Sequence, residues 1–425
     1  MILLLLGIFC LLLVMGVPVG FTLGIGTLLF IFMNPTFDVT LLTQRTFVGL
    51  NNFPLMALPL FILAGNLMNL GGITDRLWKF ARAILGFVPG GAGHVSVLSS
   101  MLFAAMSGSA LATAGGLGPV QVKGMVEDGF PRDRAAAIVA AASTIGPVIP
   151  PSIPFVLFGV VGGVSVGKLF MAGVLPGILM GVVLMAYVLI SSFYSDYKKY
   201  PVPSLKEVAS ATIQGIPALM TPVVILGGIL AGIFTPTEAA AVACAYALGL
   251  GIYYGGITWS NFMQTLRNTA RTSASIMLII GTAAAFSWIL TSLRVSQLLT
   301  DFVVGSGMSV AITLLLLNLV LLVVGCFIET NSAIILLTPI LVPVFSALGV
   351  DPIQLGVLVC VNLLIGLLTP PMGMSLYVAS SVTGAPFSKI ATAALPMLIA
   401  LLVVQLLVTF VPAVSLYLPS VLVVK

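Results

Sequence analysis

Long apolar runs separated by short polar interruptions dominate this chain. Met1–Met33, Ala209–Phe234, Ala274–Leu293, Val310–Ile328 and Ala391–Pro419 each supply the ~20 mostly apolar residues that a membrane-crossing helix needs. More such runs lie between them, so the pattern predicts an all-α integral membrane protein with about eleven crossing helices. The first run has no charged start and continues through Gly16-Val17-Pro18-Val19-Gly20 to Phe32. It reads as a first, broken spanning helix rather than a cleaved leader.

Composition agrees with the pattern. Asp, Glu, Lys and Arg make up 6% of 425 residues, against about 25% in an ordinary soluble domain. Hydrophobic residues make up 60% and the mean hydropathy is +1.25. Cys10, Cys244, Cys326 and Cys360 all sit inside apolar runs without metal-ligand spacing, as small buried hydrophobes do. The net charge of +5 is what basic cytoplasmic loops give a membrane protein, and does not imply nucleic acid.

Those basic residues cluster. Arg76, Lys79 and Arg82 form one group; Lys123, Arg132 and Arg134 a second; Lys198, Lys199 and Lys206 a third; Arg267 and Arg271 a fourth. Basic loops tend to be cytoplasmic. The first two groups flank Gly91–Val120, about one span long. If both flanks are cytoplasmic, this segment enters and returns as a hairpin; the alternative is a crossing helix with one basic loop outside. Ser107-Gly108-Ser109 and Gly115-Gly116, all poor helix formers, favour the hairpin. The polar stretch Tyr194–Ala209 contains Ser204-Leu205-Lys206-Glu207, the pattern of a capping box, and predicts a short amphipathic surface helix joining two halves.

The halves repeat at an offset of 220 residues. TIGPVIPP at 144–151 aligns with LIGLLTPP at 364–371, Leu117-Gly118-Pro119-Val120 with Leu337-Thr338-Pro339-Ile340, and Leu175-Pro176 with Leu395-Pro396. The second hairpin candidate, near 311–342, is flanked by Ser296–Val310 and Pro343–Gln354, which contain no Lys or Arg. One hairpin is therefore expected to enter from each side. This is an inverted-topology repeat, with residues 1–192 as the first copy, 193–208 as a cytoplasmic connector and 209–425 as the second.

The chemistry is expected at the breaks. Gly146-Pro147-Val148-Ile149-Pro150-Pro151-Ser152 holds three prolines in five residues, which must unwind a helix. Gly366-Leu367-Leu368-Thr369-Pro370-Pro371-Met372-Gly373 repeats the device. Unwinding frees carbonyl oxygens, suited to a hard cation such as sodium, with the hydroxyls of Ser107, Ser109 and Thr369 as supplements. Plain proline kinks are the alternative. A carboxylate in apolar sequence is costly and usually functional, which singles out Glu329 at the second tip. Glu238 reads equally as a helix-start residue. Arg294 either attracts an anionic substrate or snorkels to the interface. One histidine, His94, and no paired acids give little support to a proton relay, so sodium is the expected driving ion. The chain lacks a phosphate-binding loop of the Walker type, since GLGPVQVKG has no GK[ST] ending, and lacks a His/Cys cluster for a catalytic metal; no enzyme activity and no cofactor are expected.

At these residues a family becomes visible. SGSALATAGGLGPV at 107–120, STIGPVIPPSIPFVLFG at 143–159, VGKLFMAGVLPG at 166–177, GIFTPTEAAAVA at 232–243 and LLTPPMGMSLYV at 367–378 resemble the large membrane subunit of TRAP (tripartite ATP-independent periplasmic) transporters, over essentially the whole chain. The resemblance implies an elevator-type fold with a scaffold part and a mobile part holding both hairpins. It also implies sodium-coupled import of organic acids across the bacterial inner membrane, with a periplasmic substrate-binding protein and a small four-helix membrane subunit as partners. Carried over by position, one sodium site uses Ser107 with Gly146, Ile149 and Pro151; the other uses Gly325, Gly366, Thr369 and Met372. Substrate is then expected near Ser109, Ser152, Glu329, Thr330 and Asn331. Sialic acid (N-acetylneuraminate) is the favoured substrate, with C4-dicarboxylates and other sugar acids open. A stand-alone sodium/organic-anion symporter is the alternative.

Overall fold

A computed structural model describes residues 2–34, 36–70, 73–198 and 200–422. Met1 of the first apolar run and Lys199 of the third basic cluster lie outside the described residues. Among the described residues the structure is α-helical, with two short 3-10 turns and no strand.

The first helices are short because glycine and proline interrupt them. α1 (Ile2–Val14) stops before Gly16, whose φ of +80° suits glycine. α2 (Val19–Met33) starts after Pro18, which has no amide to donate. α3 (Thr40–Leu50) leads through the turn Phe53–Met56 into α4 (Ala57–Leu70), and α5 (Ile73–Leu85) follows. Next come an antiparallel pair, α6 (Gly91–Ser107) and α7 (Ala110–Glu127), then α8 (Arg132–Ser143), the turn Gly146–Val148, α9 (Ile153–Gly162) and α10 (Val166–Ser192). The remaining helices are α11 (Leu205–Leu230), α12 (Pro236–Tyr253), α13 (Trp259–Ser292), α14 (Val295–Gly305), α15 (Val310–Phe327), α16 (Thr330–Ala347), α17 (Pro352–Gly366), α18 (Met374–Thr383), α19 (Phe387–Phe410) and α20 (Ala413–Leu422).

Seven helices of the described residues are long and apolar enough to cross a membrane alone, and an eighth span results if α8 and α9, bent by 43° at their break, count as one. The difference from about eleven lies in the breaks: α1, α2, α14, α17 and α20 are apolar but short. The boundaries keep the 220-residue register. α6 and α15 begin within one residue of it, and α7 and α16, like α8 and α17, begin on it. Pro119 and Pro339 occupy matching places inside α7 and α16, as Pro176 and Pro396 do inside α10 and α19.

The centre is built on α8 and α17. Ala135–Ala142 of α8 is entirely buried, and so is Gln354–Leu368 along α17. The alanines let neighbouring helices approach closely, the usual device where lipid removes the hydrophobic drive between helices. α6 and α7 both pack on α8, and α15 and α16 both pack on α17. Each return arm also packs on the broken helix of the other half: α7 on α18, and α16 on α9. The two breaks are thereby interlocked.

The connector departs from its expected form. The capping box is present, with Ser204 Oγ accepting from Glu207 N and Glu207 Oε2 accepting from Ser204 N at 2.8 Å. No proline follows it before Pro217, so the surface turn is continuous with the 26-residue α11 instead of a separate helix. Ahead of it, the non-helical residues 195–198 and Tyr200 dock on the base of the α6–α7 pair. Tyr200 donates to Asp128 at 2.5 Å, Arg134 donates to the Tyr197 hydroxyl at 2.7 Å, and Tyr197 stacks on Phe130 with ring centroids 3.7 Å apart. Asp128→Ala removes the acceptor of the Tyr200 bond. With about 1 kcal/mol per lost bond, cleavage by trypsin after Lys198 is expected to rise roughly fivefold. Unchanged protection would show that this bond does not hold the segment.

Candidate functional site

The first break forms because Pro147, Pro150 and Pro151 withhold three amides. α8 ends at Ser143, and α9 restarts with Ser152 as its cap, the Ser152 hydroxyl accepting from Phe155 N at 3.2 Å and donating to the Pro147 carbonyl. Ser152 is wholly buried. The Gly146 carbonyl accepts from Ile149 N at 3.1 Å. Among the described residues, no donor reaches the carbonyls of Ile149, Pro150 or Pro151. The Pro150–Pro151 bond is cis, as is Pro370–Pro371.

The turn between α6 and α7 lies on this break. Gly108 has φ +61°, and a methyl group added to it would stand 3.4 Å from the Pro151 carbonyl oxygen and 3.3 Å from Ile153 Cγ1. Ser107 shares a hydrogen bond with Thr113 at 3.1 Å, and Ser109 caps α7 through Ala112 N at 3.3 Å. The turn that joins Ser107 to Ser109 is thus seated beside the Pro151 carbonyl through Gly108.

The second break is built likewise and held more tightly. A methyl group on Gly366 would stand 2.6 Å from the carbonyl carbon of Gly325, and one on Gly325 would stand 2.9 Å from the Leu363 oxygen. Backbone meets backbone here, which only glycine permits. Cys326 Sγ donates to the Thr369 carbonyl at 3.1 Å, and the Thr369 hydroxyl donates to Ile365 O at 3.1 Å. The carbonyls of Pro370, Pro371 and Met372 accept nothing among the described residues. The Met372 side chain is exposed, which leaves its main-chain oxygen as the possible ligand.

At the second tip, Glu329 caps α16. It accepts from Ser332 N at 3.1 Å and from Asn331 Nδ2 at 2.8 Å. The Thr330 hydroxyl, Asn331 Oδ1 and the Ser375 hydroxyl are buried without a partner. Buried polar groups are normally paired; these three, at the second tip and just past the second break, have no partner among the described residues. Ser375, Thr113 and Cys326 escaped the sequence reading. Ser375 aligns with Phe155 at the 220 offset, so the repeat gave no signal for it; its nearness to Pro370-Pro371 was the available clue. Arg294 stands apart. It is exposed at the α13–α14 junction with φ +55°, away from the contacts described above.

Interlocked broken helices with helix-pair tips seated on them, among described residues that are all helical and hold seven or eight segments long and apolar enough to cross a bilayer, define a multi-helix membrane protein. The fold is shared with the YdaH transporter of Alcanivorax borkumensis, with a TM-score of 0.58 at 15% identity over 87% of this chain and 86% of that one. The chain belongs to the family described as tripartite ATP-independent periplasmic transporter, DctM component, whose model matches residues 6–414. Among its relatives is the sialic acid TRAP transporter large permease protein SiaM of Vibrio cholerae, 42% identical and covering 95% of each chain. Another is the C4-dicarboxylate TRAP transporter large permease protein DctM of Pseudomonas aeruginosa, 40% identical and covering 94% of each. The protein is a multi-pass permease of the bacterial inner membrane.

Proposed function

We propose that this chain is the large permease subunit of a sodium-coupled importer of an organic acid, with N-acetylneuraminate as the favoured substrate. A periplasmic binding protein delivers the substrate, and a small four-helix membrane subunit, a separate chain, completes the complex. The α6–α7 and α15–α16 pairs act as re-entrant hairpins in two inverted repeats, moving as one body by an elevator mechanism. The observation that carries the reading is the pair of matched breaks, each with carbonyl oxygens that accept nothing among the described residues and each under a hairpin tip.

Electrostatics supports sodium. Glu329 is the one ionisable group among the candidate residues at the tips and breaks. An anionic substrate beside it places two negative charges at a depth where charge is costly, and two cations, one at each break, neutralise them. SiaM favours a sialic acid; the dicarboxylate relative keeps C4-dicarboxylates in view.

The test is uptake into proteoliposomes. Radiolabelled N-acetylneuraminate is expected to accumulate only with an inward sodium gradient, the small subunit and the binding protein. Succinate replacing it as the accumulated solute would move the substrate to the dicarboxylates. Uptake driven by a proton gradient without sodium would overturn the coupling, and uptake by the purified chain alone would favour a stand-alone symporter.

A further inference from the structure

A cavity of about 340 Å³ lies apart from the tips and breaks, between α3 and α13 on one side and α9 and α16 on the other. Its lining holds one cation, Arg45, and no carboxylate. The Arg45 guanidinium lies over the Trp288 ring, 4.8 Å from its centroid. A contact with the ring face takes up no hydrogen-bond acceptor, so the guanidinium's five donors remain available. Among the described residues, Arg45 forms no ion pair and no hydrogen bond. The acid nearest in sequence, Asp38, is engaged by the Thr40 amide and hydroxyl, both at 2.7 Å. Asn52 and Ser287 also line the cavity, and neither side chain has a hydrogen-bond partner among the described residues. A rigid fork of donors with an amide and a hydroxyl beside it is the arrangement that grips a carboxylate, and the volume suits a small ligand.

The opposite wall links the cavity to the transport machinery. Val160 of α9 and Ile335 of α16 line it. They stand about 12 and 9 Å along their helices from the caps Ser152 and Glu329. No candidate sodium or substrate residue belongs to the lining.

We propose that this cavity is a second anion site. It holds the carboxylate of a small organic acid on Arg45, a staging position on the way to the tips. The staging role rests on the transport reading above; the binding does not.

Labelling tests the binding directly. In the purified chain with Cys10, the exposed cysteine of the four, changed to alanine, Ser287→Cys is reacted with anionic and cationic methanethiosulfonates, each rate normalised to free cysteine. The anionic reagent is expected to be favoured about tenfold, and Arg45→Gln should abolish the preference. Millimolar N-acetylneuraminate or succinate should slow labelling in the Arg45 protein and not in the Gln variant. Thr291→Cys reports the same cavity if Ser287→Cys does not fold. Equal rates for the two reagents, or protection by phosphatidylglycerol nanodiscs and by neither acid, would overturn the site. In uptake assays Arg45→Gln should raise KM and leave the maximal rate near normal. If no uptake is found at all, the transport reading fails while the labelling result stands.

Discussion

Gly366→Ala is expected to lower sodium-driven uptake at least tenfold, together with the melting temperature. The added methyl would lie 2.6 Å from the Gly325 carbonyl carbon, 2.7 Å from its Cα and 3.0 Å from its oxygen. None of these atoms is the end of a flexible side chain, so none can swing away. Overpacking of this kind typically costs about 1–3 kcal/mol, and relieving it means parting α15 from α17. That separation displaces Gly325 and Gly366 together, both expected sodium ligands, and with them the Cys326–Thr369 contact. Gly249→Ala is the control. Nothing lies within 4 Å of a Cβ there, and alanine in a helix interior is favoured by about 1 kcal/mol, so uptake should hold and stability should not fall. Uptake and thermal melting of both variants decide the matter. Wild-type rates in Gly366→Ala would mean the backbone contact is not needed for transport.

The proline arithmetic was legible because a ring without an amide acts locally. Pro147, Pro150 and Pro151 interrupt a helix whatever surrounds them, and the 220-residue register found from a few motifs extends to the starts of α7, α8, α16 and α17. Gly115-Gly116 are expected, as poor helix formers, to break the middle of the first hairpin, but α7 runs through them to Glu127. Packing against α8 and α18 outweighs the weak helix propensity of those residues. The turn falls at Ser107-Gly108-Ser109, the other run of poor helix formers, where Gly108 has a positive φ. Its counterpart at the other tip is Ile328 in extended backbone, so matching positions did not imply matching conformations. The Arg45 cavity was invisible for a different reason: its walls come from four helices that meet only in the folded chain.

Glu329→Gln is expected to keep the fold and lose sodium-driven uptake. The carboxylate has two roles that the substitution separates. As a cap it needs one oxygen to accept from Ser332 N, and glutamine supplies it. The new amide nitrogen would oppose the donor of Asn331, but Asn331 Oδ1 is unpartnered, and a flip of that amide restores the bond. Melting should therefore shift little. The charge is different. A cation about 4 Å from a carboxylate gains about 4 kcal/mol at an effective dielectric of about 20, and glutamine forfeits most of it. The sodium concentration for half-maximal uptake should rise at least tenfold. Glu329→Ala removes both roles and should add a loss of stability of about 1 kcal/mol. If the Gln variant keeps wild-type sodium dependence and only the Ala variant is impaired, the carboxylate serves as a helix cap, and the cations of the proposed cycle must be held by the carbonyls of the breaks alone.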